Sequence, residues 1–296
     1  MKIYDCFMYH DEDLLLDFRL NYLSKFVDKF VIVEASHFHS GLPKKLNFKP
    51  KKFIKFKEKI IYIKVLQKPK NLLKIFDKDN DESISHKKII NGYAWDNFQR
   101  NMISRGLKNI NDNDIVIISD LDEIPNLENI NFQNIKAKLI FFRQKIFFYK
   151  FNLLYPKKFW YGSRACRKKF LISPQWLRDI KDRQYGIFRL DIMFSKRKYH
   201  NFFFVNNGGW HFTNLKTPKK IFQKLSNYAH HLEFQKSGIK LNNIDYLIKN
   251  NKAIYNHAVD QRLNKFDGSI KLKKININTL PKYIINNIDK YKKWIF

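Results

Sequence analysis

Ile115-Val116-Ile117-Ile118-Ser119-Asp120-Leu121-Asp122-Glu123 is the stretch that decides the fold. Four consecutive apolar residues, all of them β-branched Ile or Val, before a polar exit describe a strand buried on both faces, as in a parallel sheet covered by helices. The carboxylates follow at once. In an open α/β sheet, ligands collect at the carboxyl ends of the strands, which is where Asp120, Asp122 and Glu123 fall. Two short carboxylates in an Asp-X-Asp turn suit Mg²⁺ or Mn²⁺ while leaving positions for diphosphate oxygens and water. A helix-capping or solvated turn is the competing reading of the tripeptide. A phosphatase or nuclease could use the same carboxylates, so the motif speaks for metal and phosphate before it speaks for sugar.

Working outward, the flanking sequence alternates strand and helix signals. Ile3 to Tyr9 reads as a strand, and Asp11 as the cap of a helix with Leu14, Leu15, Phe18, Tyr22 and Leu23 at helical spacing. Asp28 to Ala35 and Lys59 to Val65 read as further strands, and Lys68 to Ser85 as an exposed loop. Ile89 to Leu107 reads as an amphipathic helix leading through the turn Asn111 to Asp114 into the central strand. This order predicts a mostly parallel Rossmann-like sheet with helices on both faces. Beyond it, Leu139 to Tyr149, Lys150 to Trp160 and Phe202 to Val205 suit antiparallel strands. Helical signals return at Pro218 to Leu232, Ile244 to Asn250 and Pro281 to Tyr291. The expectation is one α/β domain over 1–296, with a nucleotide-binding half (1–135) and a mixed, antiparallel acceptor half (136–296).

Composition bounds the function. A chain of 296 residues, 44% hydrophobic and 16% aromatic, can bury a large core and is not disordered. The formal charge of +30 invites a nucleic-acid reading, but only 11 of the 57 basic residues are Arg, the residue favoured for base-edge and bidentate phosphate recognition. The Lys, Asn, Ile and Phe bias reads instead as that of an AT-rich genome. No specific nucleic-acid partner is expected, although a basic surface would help retain an anionic donor or approach an anionic membrane. Cys6 and Cys166 lack a second Cys or His at metal-ligand spacing, and Cys6 sits inside a strand as a small hydrophobe. There is no signal-peptide pattern and no run approaching ~18 apolar residues, so a cytoplasmic protein, peripheral to a membrane at most, is expected.

The segment Ala94-Trp95-Asp96-Asn97-Phe98-Gln99-Arg100-Asn101 through Ile117 to Pro125 resembles glycosyltransferase family 17, the family of the enzyme that adds bisecting GlcNAc to N-glycans. Further segments agree in order: Tyr4-Asp5-Cys6-Phe7 with Glu12 and Arg19-Leu20-Asn21, Val27 to Ala35, Gly41 to Lys44, Gly209-Trp210-His211-Phe212, Lys224-Leu225, Phe266-Asp267-Gly268 and Leu280 to Tyr283. The likeness spans essentially the whole chain. It implies a GT-A-like fold, a UDP-sugar donor (UDP-GlcNAc in characterised members), a divalent metal, a glycan or glycolipid acceptor and inversion at the anomeric carbon. Where the animal enzymes carry a Cys-bearing continuation of the Gly-Trp-His motif, this chain has Phe212-Thr213-Asn214.

On that resemblance Asp122 is the principal metal ligand and Asp120 lies by the ribose or metal. Glu34, at the end of the second strand, binds the nucleoside or serves as a loop carboxylate. Gln99 and Arg100 reach the same edge, where Arg100 pairs with diphosphate, with Asp122 or with a surface acid. His211 is a further metal ligand or diphosphate contact, and Trp210 stacks on a sugar or packs in the core. Inversion requires a general base, for which Glu123 and Glu233, the latter near His230 and His231, are the candidates. The competing functions are a metal-dependent phosphohydrolase and a basic nucleic-acid-binding protein.

Overall fold

The computed structural model describes residues 1–183, 185, 192, 195–228, 231–257 and 265–296. The chain begins with β1 (Ile3–Met8), α1 (Asp13–Leu23) and β2 (Lys29–Ala35). A 3-10 helix, Pro50–Lys59, leads into β3 (Ile60–Val65), and α2 (Asp81–Asn101) returns to β4 (Ile115–Asp120). Glu12, not Asp11, is the N-cap of α1. The helix read from Ile89 starts eight residues earlier, where the Asn80 side chain accepts the Ser83 N–H, and its last turns tighten into a 3-10 segment from Met102.

Next come β5 (Glu123–Pro125), β6 (Leu139–Phe142), β7 (Gln144–Phe148), β8 (Leu153–Trp160), β9 (Arg164–Arg167) and α3 (Pro174–Asp179). The chain continues with β10 (Phe202–Val205), β11 (Gly209–Thr213), α4 (Pro218–Leu225), α5 (His231–Lys236), α6 (Leu241–Lys249), β12 (Lys273–Lys274), α7 (Lys282–Ile285) and α8 (Ile288–Tyr291). The aromatic run expected as one strand from Leu139 to Tyr149 breaks at Arg143, and its halves enter different sheets. The helix expected from Pro218 to Leu232 ends at Leu225, with Ser226 as its cap.

The larger sheet has seven strands in the order β10-β6-β9-β4-β1-β2-β3, and the smaller has five in the order β12-β8-β7-β11-β5. In the larger sheet every strand runs the same way except β9, which is antiparallel to β4 and β6. The architecture is thus mixed α/β around a mostly parallel sheet. β10 pairs parallel with β6, against the antiparallel expectation. β6, β9 and β10, all from beyond residue 135, complete this sheet.

The two faces of the larger sheet are both covered, which is why β1, β2 and β4 read as unbroken apolar runs. One core holds Leu16, Phe18, Phe30, Ile117, Phe147, Phe212 and Tyr291, and the other holds Cys6, Val31, Ile103, Val116, Ile118 and Cys166. Phe18 of α1 is a hub, since the rings of Phe151, Phe212, Tyr283 and Tyr291 lie with centroids 5.9 to 6.3 Å from its own. That cluster ties the C-terminal helices to the sheet. The register places Met8, Val33 and Asp120 level with one another, so β1, β2 and β4 present one carboxyl edge. No helix among the described residues is long and apolar enough to cross a membrane.

Candidate active site

The apolar run of β4 ends at Asp120, and the residues alternating with the acids are drawn inward: Leu121 and Ile124 are buried in the core that contains Phe18. Burying these two leaves Asp120 and Asp122 at the edge. Arg19 fixes the backbone of the turn from below. Fully buried in α1, it forms a bidentate pair with Asp5 of β1 (2.7 and 2.6 Å). Its remaining nitrogen donates to the carbonyls of Asp120 (3.0 Å), Leu121 (3.2 Å) and Glu123 (2.7 Å). Only a guanidinium has enough donors in a fixed fork to do both.

Asp120 lies between two guanidiniums, accepting from Arg100 at 3.0 Å and Arg178 at 2.9 Å, with 37% of its side chain still exposed. Burial raises its pKa, but Arg178 and Arg100 outweigh it and hold the carboxyl well below the usual range. Arg100 also pairs with Asp96 and donates to Gln175 at 2.8 Å. Arg178, from α3, also clasps Glu123 (2.7 and 3.0 Å) and donates to the Gly162 carbonyl.

Glu123 is completely buried, and beyond the two Arg178 bonds it accepts from the Asp120 N–H (2.8 Å) and Trp160 Nε1 (2.6 Å). Both of its oxygens are filled, so it serves as a strut of the turn. Gly162 makes room for it, because a Cβ there would collide with Glu123 Oε1 and Trp160 Nε1.

Asp122 is held differently. Its carbonyl accepts the Phe212 N–H at 2.8 Å, anchoring the turn to β11. One carboxylate oxygen lies 3.6 Å from His211 Nε2 and the other 3.3 Å from Lys224 Nζ. Burial disfavours the Lys224 charge, yet Asp122 and then Glu12 overcome this and raise its pKa. His211 stacks on Trp160 (centroids 4.9 Å, 27°), and its Nδ1 is buried without a hydrogen-bond partner. Behind it stands His257, centroids 6.4 Å away, whose pKa burial and then His211 push down to about 3.

Alternation along β11 separates the two residues of the Gly-Trp-His motif. His211 faces Asp122, whereas Trp210 faces the core and meets the Tyr22 ring edge-on at 5.6 Å. Trp210 is therefore a packing residue on the face away from the carboxylates. Glu34 is also fully buried, with its oxygens taken by Lys44 (3.1 Å), the Asn47 N–H (2.6 Å), the Phe48 N–H (3.1 Å) and Tyr62 (2.8 Å). It pins the loop after β2 and presents no free oxygen. Gln99 works on the same loop, donating to the Val33 carbonyl (3.1 Å) and contacting His39 Nε2 (3.1 Å). Glu233, in α5, is 43% exposed and pairs with Lys265. His230 lies outside the described residues.

The structure thus gathers Asp120, Asp122, Glu123, Arg100 and His211, sets Glu34 and Gln99 beneath the neighbouring loop, and turns Trp210 away. Arg178 and Trp160 carry no signal in the sequence. Arg19, Glu12 and Lys224 do, since each falls in a segment of the family resemblance.

Among the described residues no group of three or more His, Cys, Asp or Glu side chains is arranged to hold a metal ion. Asp120, Asp122 and His211 do not form a three-donor set, because Asp120 is committed to its arginines. Asp122 and His211, 3.6 Å apart, could supply one oxygen and one nitrogen donor to a divalent ion such as Mg²⁺ or Mn²⁺.

A family model, glycosyltransferase family 17, matches residues 1–295. No curated relative matches the chain. The match runs through both sheets and the carboxylate turn alike, and it favours sugar transfer over the phosphohydrolase reading that the bare motif had left open and the nucleic-acid reading that the charge had invited. The chain belongs to glycosyltransferase family 17 and is a sugar transferase.

Proposed function

We propose that the protein moves a sugar, N-acetylglucosamine by its family likeness, from a UDP-sugar to a hydroxyl of a glycan or glycolipid, with inversion. The observation that carries this reading is Asp122, an aspartate at the carboxyl edge whose carboxylate faces one imidazole and one ammonium at 3.3 to 3.6 Å. Those contacts are loose enough to be exchanged for ligand. A divalent ion on Asp122 and His211 would act as a Lewis acid toward the departing diphosphate.

The chain's own cations supplement that charge. Lys224, Arg100 and Arg178 surround the turn and attract the anionic donor to the edge. The acceptor oxygen attacks the anomeric carbon, the bond to the β-phosphate oxygen breaks with its electrons, and a base removes the hydroxyl proton. Of the two carboxylates considered for that base, Glu233 is retained, because it reaches solvent whereas Glu123 is enclosed.

The test is a panel of UDP-, GDP- and CMP-sugars, measured by thermal shift and donor hydrolysis with and without Mn²⁺. A UDP-sugar is expected to stabilise the protein most and Mn²⁺ to increase the shift, with Asp122→Asn abolishing the metal-dependent part while the unliganded midpoint holds. Full transfer activity in Asp122→Asn would overturn the assignment.

A further inference from the structure

The excess of lysine runs through the whole chain, yet one stretch concentrates it. Residues 49–78 hold eleven lysines, two carboxylates and no arginine. They form the 3-10 helix, the edge strand β3 and the loop after it. Lysine on an edge strand is an ordinary guard against strand addition, so charge alone would not distinguish this surface. The apolar side chains do. Leu66, Leu73, Ile75 and Phe76 of the loop are 40 to 59% exposed, interleaved with Lys68, Lys70, Lys74 and Lys78.

The loop is not loosely attached. Asn91 of α2 bonds both the N–H (2.7 Å) and the carbonyl (2.9 Å) of Leu73. Asp79 accepts the Phe76 N–H at 2.7 Å and is itself paired with Lys87 at 2.6 Å, whose ammonium lies 5.1 Å from the Phe76 ring centre. Polar side chains hold the backbone from beneath while its apolar groups face water. An exposed apolar cluster rimmed by one sign of charge marks a contact surface. Apolar tips with a lysine rim match the boundary of an anionic bilayer, where both kinds of group gain. Nucleic acid would use the lysines and leave the apolar tips wet.

We infer that the loop 66–78, through its own lysines and exposed apolar side chains, docks the protein on an anionic lipid surface. The position gives the contact a use. Ile63 is level with Val33, Met8 and Asp120 across the sheet, so the loop leaves β3 at the same edge as the carboxylate turn. Three strand spacings put it roughly 15 Å from β4 in the plane of the sheet. An acceptor carried in the membrane would be met from the side on which the donor site opens. The docking itself does not depend on the donor assignment.

The experiment is co-sedimentation of the full chain with phosphatidylcholine vesicles, with and without phosphatidylserine, at low and high salt. Two variants are compared: Leu73→Ser/Ile75→Ser/Phe76→Ser, and Lys68→Gln/Lys70→Gln/Lys74→Gln/Lys78→Gln. Binding is expected only with phosphatidylserine, weakened about fivefold per lysine removed and about tenfold or more by the apolar triple even at low salt. Both variants should keep the parent melting temperature and hydrolyse a soluble donor at the parent rate, which separates lost docking from lost folding or chemistry. Absence of binding to anionic vesicles would overturn the inference. So would an unchanged affinity in the apolar triple, or tight duplex DNA binding that the lysine variant alone abolishes.

Discussion

Replacing Arg19 with methionine keeps much of the buried side chain's bulk and removes all its donors, so it isolates what the guanidinium does. The Asp5 carboxylate, with no exposed surface, loses both of its charged bonds. Removing one partner of a buried pair costs about 3–5 kcal/mol. The three turn carbonyls lose their donor as well, and each buried acceptor left unmade adds about 1 kcal/mol where no other donor takes its place. The sum reaches the lower part of the ~5–15 kcal/mol that holds a typical domain together. Arg19→Met is therefore expected to lower the urea midpoint severely. Asp5→Leu/Arg19→Met removes the stranded charge and should be at least about 2 kcal/mol more stable than Arg19→Met alone. Neither variant restores the donors under Asp120, Leu121 and Glu123, so turnover of a nucleotide-sugar donor should remain low in both. A single-variant cost below about 1 kcal/mol would refute the pairing argument, and full turnover in the double variant would refute the role given to the turn contacts.

Arg178→Gln removes the cation that most strongly lowers the Asp120 pKa. A lowered carboxyl pKa keeps the group ionised far into acid, so its loss should move the acid limb of the activity profile to higher pH, read from donor hydrolysis against pH. Gly162→Ala forces a methyl group against Glu123 and Trp160. It should cut turnover while leaving far-UV circular dichroism intact, and Gly162→Ser should be no better. Burial, with Lys44 acting the same way against Glu12, lowers the His10 pKa to about 4. Between the ordinary histidine value near 6.5 and about 4, the unfolded chain then binds a proton that the folded chain refuses, and stability falls as pH drops through that window. His10→Gln should flatten that slope by up to one proton, measured by urea unfolding at stepped pH.

The sheet was largely legible because its strands are continuous apolar runs. Phe30-Val31-Ile32-Val33 and Ile115-Val116-Ile117-Ile118 are buried on both faces and could hardly be anything else. Leu139 to Tyr149 misled because apolar residues dominate both sides of Arg143 and Gln144, and nothing local says that the two sides belong to different sheets. The direction of β10 was equally hidden. Its partner β6 lies some sixty residues away, and pairing direction depends on how the chain crosses over. At the site, Asp120 and Asp122 could be found from their strand, but the roles of Trp210 and His211 rest on β11, whose alternation sends one inward and the other toward Asp122. Arg178 was out of reach altogether. It meets Glu123 across 55 residues from a short helix with no unusual sequence.

The two aspartates of the motif look equivalent in sequence and are not equivalent in the fold, and the difference follows from what each is bonded to. Asp120 has two guanidiniums at 2.9 and 3.0 Å, Arg178 being shared with the buried Glu123. To displace Arg178 from Asp120 would disturb its hold on Glu123, and breaking such a buried network costs several kcal/mol. Asp120 therefore keeps its partners, and it holds Arg100 and Arg178 at the edge. Asp122 faces single contacts at 3.3 and 3.6 Å, at or beyond the limit of a good hydrogen bond. Exchanging them strands nothing, since Lys224 also has Glu12 nearby to hold its charge. On the proposed function, a diphosphate reaching this edge would meet in Asp122 the carboxylate that can change partners, and the ammonium released would be one more cation for the leaving group. The asymmetry comes from Arg100 and Arg178, residues outside the motif, and a turn of the same sequence without Arg178 would hold Asp120 through Arg100 alone.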